Sequence, residues 1–109
     1  MATASICLCR TQNTFPDGSP MPVVSSVPVL DETAANPTSS TQSTGTVPTT
    51  VTNNRHGLVW EISASGGAIW VTFGTNPTAS AGVSFLVPDG AVRHFGAGVA
   101  GEKAAVINA

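Results

Sequence analysis

GLVWEISASGGAIWVTFG, residues Gly57–Gly74, is the stretch whose reading decides the fold class. Two apolar-rich runs, Leu58–Ser63 and Ala68–Phe73, flank Ala64-Ser65-Gly66-Gly67. Between them the runs hold Val, Ile, Trp, Thr and Phe, side chains that pack well on a pleated surface. Each alternates. Leu58, Trp60 and Ile62 share one face of the first, opposite Val59, Glu61 and Ser63. In the second, Ile69, Val71 and Phe73 stand opposite Trp70, Thr72 and Gly74. Gly66 and Gly67 accept the positive φ of a tight reversal without steric cost. The pattern predicts a β-hairpin at the centre of a small all-β domain.

Working toward the C-terminus, the strand-like runs continue through Val83–Val87 (VSFLV), Ala91–Phe95 (AVRHF) and Glu102–Asn108 (EKAAVIN). Between them lie a small-residue loop at 76–82, a Pro88-Asp89-Gly90 turn and a glycine-rich connection at Gly96–Gly101. In Pro-Asp-Gly, Pro presets φ and Gly accepts the left-handed region. Short strands with turns at this spacing predict a small antiparallel sandwich or barrel, a jelly-roll-like meander over residues 53–109. A unit near 60 residues buries only about 60% of its unfolded surface, so oligomerisation is the expected staple.

Toward the N-terminus the composition changes. Residues 1–30 alternate apolar patches with Pro16, Pro20, Pro22 and Pro28, and Pro16-Asp17-Gly18 carries a second turn signal. Prolines confine Val23, Val24, Val29 and Leu30 to a sheet edge or to contact with another chain. Between Thr38 and Thr52, ten of fifteen residues are Ser or Thr, leaving Val47 and Val51 as isolated apolar positions. Such a segment has too little apolar area to offset its own ordering entropy. Residues 1–52 are therefore expected to form an extended Pro/Ser/Thr-rich arm draped over neighbouring subunits. The alternative for Thr46–Thr52 is an edge strand of the C-terminal domain.

Composition restricts function. Charged residues make up 9% of the 109, against about 25% in an average domain. The net charge of −2 offers neither a basic footprint for nucleic acid nor a polybasic membrane surface. A neutral Ser/Thr/Ala surface fits a subunit covered by neighbours. No run reaches the roughly 18 apolar residues of a membrane span. MATASICLCRTQ carries its Arg on the wrong side for a signal peptide, so synthesis in the cytoplasm is expected. Cys7 and Cys9 are the only cysteines. They are expected as reduced, packed thiols; an intermolecular disulfide is the alternative.

Enzyme chemistry finds little support. The titratable groups after residue 52 are Arg55, His56, Glu61, Asp89, Arg93, His94, Glu102 and Lys103. Both histidines sit beside an arginine, and no spacing supports a metal site. No G-x-S-x-G elbow is present, and the glycine pairs lack a phosphate loop's strand–loop–helix setting. Neither a metal nor a cofactor is expected. Trp60 and Trp70 are the informative aromatics. Packing in the core or between subunits suits them better than base stacking, which wants a basic groove. Trp70, opposite Ile69 and Val71, leaves the core side and becomes the first interface candidate, with Trp60, Val23, Val24, Val29, Leu30, Val47 and Val51 after it.

Residues 67–107 carry a resemblance. A strand reading Trp70-Val71-Thr72-Phe73-Gly74 precedes a small-residue loop; Phe85-Leu86-Val87-Pro88-Asp89-Gly90 follows; Gly101-Glu102-Lys103-Ala104-Ala105-Val106-Ile107 closes the run. The order resembles a class of small virion proteins of tailed bacteriophages. The resemblance implies a non-enzymatic capsid cement or decoration protein on the capsid surface, with no catalytic residues to carry over. Its partners would be the major capsid protein and copies of itself, as homodimer or homotrimer. A tail, neck or adaptor component is the alternative within the virion. A host-facing module binding glycans through Trp60 or Trp70 is the alternative outside that class.

Overall fold

The computed structural model describes residues 2–10, 29–48 and 58–109. Those residues form eight strands and no helix: β1 (Thr3–Arg10), β2 (Leu30–Ala35), β3 (Thr41–Gln42), β4 (Leu58–Ser65), β5 (Ile69–Gly74), β6 (Phe85–Val87), β7 (Val92–Gly96) and β8 (Lys103–Asn108). Two antiparallel four-stranded sheets result. The first runs β2-β1-β4-β7, the second β3-β8-β5-β6. The all-β expectation holds, as a sandwich.

The decisive stretch folds differently from the hairpin it suggests. β4 pairs with β1 and β7, whereas β5 pairs with β8 and β6. The chain arches from one sheet to the other through Gly66 (φ 77°) and Gly67 (φ 157°). Alternation explains why. A hairpin would lay both apolar faces side by side on one sheet, still needing cover. The arch turns them toward each other, so Leu58, Trp60 and Ile62 meet Ile69 and Val71, all at most 1% exposed. Trp60 and Phe73 touch across the interior with ring centroids 5.7 Å apart. Nor is the remainder a meander, because β3, β4, β7 and β8 each follow a strand of the opposite sheet. Pro88-Asp89-Gly90 is the expected turn, with Gly90 at φ 78°. It too carries the chain between sheets, from β6 to β7.

The N-terminal residues correct the division at residue 52. β1 is an interior strand of the first sheet, paired with β2 from Thr3 to Leu8 and with β4 along its whole length. Ala4, Ile6 and Leu8 are buried in the same core as Trp60. β2 and β3 supply one edge of each sheet. The described part of residues 1–52 is therefore sandwich, not arm. The reason is alternation in Ala4-Ser5-Ile6-Cys7-Leu8, which places every second residue inside.

Hydrogen bonds close the side of the sandwich where β2 and β3 lie. Glu32 on β2 accepts from the Thr44 amide (2.8 Å), the Thr44 hydroxyl (3.0 Å) and the Gly45 amide (2.7 Å). Burial opposes ionisation of this carboxyl, but the three donors outweigh it and hold it below the usual carboxylate range. Gly45 lies against the Leu30 side chain, which would have to move aside for any Cβ there. Val47 follows, fully buried.

Candidate interaction surface

Three groups of side chains were candidates for chemistry or recognition. The first is a row across the outer face of the first sheet. Register places Asp31, Cys7, Glu61 and His94 side by side on β2, β1, β4 and β7. The Cys7 thiol donates to Asp31 Oδ1 (3.2 Å), and the Cys9 thiol points at Glu61 Oε2 (3.7 Å). His94 Nε2 lies 3.7 Å from Glu61 Oε1, with the imidazole about half exposed, a pairing of little energetic weight. Burial, then the Asp31 carboxylate, pushes the Cys7 thiol up to about 12. Burial and the Glu61 charge raise Cys9 as well. Both cysteines are free and held as thiols, the protonated and unreactive form. Among the described residues, no three His, Cys, Asp or Glu side chains converge to hold a metal ion.

The second group surrounds Glu102. Its Oε1 accepts from the Trp60 indole N–H (2.8 Å) and the Gly98 amide (3.1 Å). Glu102 is 8% exposed and Trp60 0%, so this is a core hydrogen bond rather than a binding site. Here the sequence reading of Trp60 as an interface candidate is corrected: the chain's own core encloses it. Val47, also expected at an interface, is enclosed in the same way.

The third group is apolar and open. Trp70 lies opposite Leu86 of β6 and Ile107 of β8, so the three form a row on the outer face of the second sheet. Trp70 and Ile107 are half-buried and Leu86 is exposed. The other half of that face is covered from within. Gln42 Nε2 donates to Asn76 Oδ1 and to the Pro77 carbonyl, both at 2.9 Å, and the Ala79 amide donates to Ser40 Oγ (2.8 Å). This loop buries Pro77 and Ala79, and outward-facing Ala105 is 0% exposed.

Beside the row, β6 and β7 form the second side of the sandwich. Arg93 Nη1 donates across it to the Leu86 carbonyl (2.9 Å). Phe85 stacks on Phe95 at 5.3 Å and Phe95 on Phe73 at 5.0 Å, an aromatic path from surface to core. The Arg93 guanidinium covers Phe95 at 5.4 Å. Beside this path Val83 and Phe85 remain 83% and 54% exposed, while Val92, in register with Ser63, is 51% exposed on the outer face of the first sheet. One side is clasped through a carboxylate; the other presents Phe85 on β6 and Val83 in the turn before it.

Of the remaining sequence candidates, Val29 is exposed and Leu30 packs partly against the core. Val23, Val24, Val51 and the Pro16–Gly18 turn lie outside the described residues. The β6–β7 edge escaped sequence reading because Phe85 looks like an ordinary strand residue until topology puts it at an edge, and Val83, expected in the strand, lies in the turn before it. No protein-family model matches the chain, and neither a curated protein nor a solved structure matches it.

Proposed function

We propose that this chain is a non-enzymatic structural protein of a tailed-bacteriophage virion, of the capsid cement or decoration type, that attaches through its β6–β7 edge. The observation that carries attachment is the exposure of Phe85 on β6 and of Val83 in the turn before it, beside an opposite side that hydrogen bonds close. Edge strands carry backbone donors and acceptors ready to pair with another chain, and apolar neighbours add affinity. The virion assignment comes from the sequence resemblance in residues 67–107. The main partner in this reading is the major capsid protein. Many such contacts repeated over a closed shell resist internal pressure through avidity.

The glycan-binding alternative is less well supported. Sugar sites place polar groups around an aromatic platform. Trp70 instead has Leu86 and Ile107 as its cross-strand neighbours.

A mass-spectrometric census of purified particles tests the reading. Hundreds of copies per particle are expected of a cement protein. Six to twelve would move the chain to the neck or tail, and absence would remove the virion role. Val83→Asp should abolish particle binding while leaving the fold intact, because it places a charge at the apolar edge on a side chain 83% exposed.

A further inference from the structure

We infer that the two free edges of the first sheet, β7 and β2, take each other in successive copies, so that this chain self-associates head to tail by strand pairing. The inference goes beyond the attachment reading: it uses the backbone of β7 and leaves Phe85 and Val83 to the shell. Hydrogen bonds fix which backbone groups are open. The Ala97 amide donates to the Leu58 carbonyl and the Ala64 amide to the Ala91 carbonyl, at either end of the β4–β7 pairing. Ladder alternation then turns the backbone of Arg93 and Phe95 toward β4 and that of Val92 and His94 away from it. On the other edge, the Asn36 amide donates to the Ala2 carbonyl. The same alternation turns the backbone of Glu32 and Ala34 toward β1 and that of Asp31 and Thr33 outward. Among the described residues, the outward amides and carbonyls of Val92, His94, Asp31 and Thr33 have no hydrogen-bond partner.

Charge chooses the occupant. β7 carries Arg93 and His94 and no acid; β2 carries Asp31 and Glu32 and no base. Charges on an edge strand ordinarily keep other edges away. Pairing β7 with a second β7, or β2 with a second β2, sets like charges together, whereas β7 against β2 joins opposite ones. Among the described residues Arg93 has no carboxylate partner, and its bond to the Leu86 carbonyl leaves its other N–H donors free. Direction and register agree. Three antiparallel pairings across the sheet leave β2 antiparallel to β7, so a second copy in the same orientation continues the alternation. With His94 opposite Asp31 of the second copy, Val92 meets that copy's Thr33, and in both pairs open backbone faces open backbone. The same register sets Arg93 opposite Glu32 and Phe95 opposite Leu30, on the inner face of both strands. Such a contact is heterologous: it leaves one β7 and one β2 free at the ends and grows until a ring closes.

Sedimentation of the full chain, alone, tests this. Wild type should form species larger than a dimer that dissociate on dilution. Thr33→Pro and His94→Pro each remove one outward N–H, where the chain's own ladder loses no bond. Each variant by itself should stay monomeric. Mixed, they should form a one-to-one dimer and nothing larger, because Thr33→Pro keeps an open β7 and His94→Pro an open β2. Where circular dichroism shows a proline variant unfolded, Arg93→Glu decides, because Arg93 is exposed. It should weaken association roughly fivefold by setting like charges opposite each other. A wild type that stays monomeric or stops at a dimer would overturn the inference. So would folded proline variants that assemble as wild type does, a mixture that stays monomeric, or Arg93→Glu associating as tightly as wild type. The two readings fail separately. A monomer that still decorates particles removes the head-to-tail contact and leaves attachment. An assembling chain absent from particles does the reverse.

Discussion

Glu102 and the two cysteines show how single residues are fixed by what surrounds them. The Trp60 indole is fully buried, and Glu102 gives its N–H an acceptor at 2.8 Å. Removing that acceptor strands a buried donor, at about 1–3 kcal/mol. Glu102→Ala should show this loss in chemical denaturation, while Glu102→Gln, which keeps a carbonyl oxygen, should recover much of it. Cys7 is governed by burial and by Asp31. Its thiol should resist alkylation at neutral and mildly alkaline pH, and react as pH approaches 12. The same shift has a stability consequence. An unfolded chain releases the proton near 9.0 and the folded one near 12, so stability from this group falls as pH rises between them. Rapid labelling of Cys7 in the folded protein at neutral pH would refute the assignment.

Strands and turns mark where sequence reading succeeded and where it stopped. β4 and β5 were legible because their alternation is strong and rich in β-branched and aromatic residues, and β8 as a short apolar run, Ala-Ala-Val-Ile. Gly66 and Gly67 were legible as a reversal, but not as an arch, since the same glycines serve a hairpin and a crossing between sheets. β2, reading Leu-Asp-Glu-Thr-Ala-Ala, was illegible: its residues are poor strand formers, and pairing with β1 holds it. β1 carried a readable alternation, yet the prolines and Ser/Thr-rich stretch beyond it suggested an arm. Two substitutions test the corrected picture. Ile6→Ala should cost about 2–5 kcal/mol as a core truncation, whereas an arm residue would change stability by less than about 0.5 kcal/mol. Gly67→Val places a Cβ 3.3 Å from Ala2 Cβ on a backbone at φ 157°. It should cost about 1–3 kcal/mol, and parental thermal stability would show that the arch does not need glycine there.

At the scale of the whole molecule, the sandwich has one side clasped and one side open. The clasp makes an acid prediction. Glu32 ionises more readily in the folded chain, so its contribution is complete above the unfolded value of 4.5 and is lost as pH falls through the lower folded value. Glu32→Gln should flatten that part of an acid-unfolding curve. The open side carries the functional account, with Phe85 linking the surface to the Trp60 core through Phe95 and Phe73. Hydroxyl-radical footprinting of the chain, free and on purified particles, tests that account most directly. Phe85 and its neighbour Val83 should lose most of their labelling on the particle, while Cys7 on the outer face of the first sheet keeps its own. Phe85 labelled as strongly on the particle as in the free chain, with protection centred on Cys7, would contradict attachment through the β6–β7 edge.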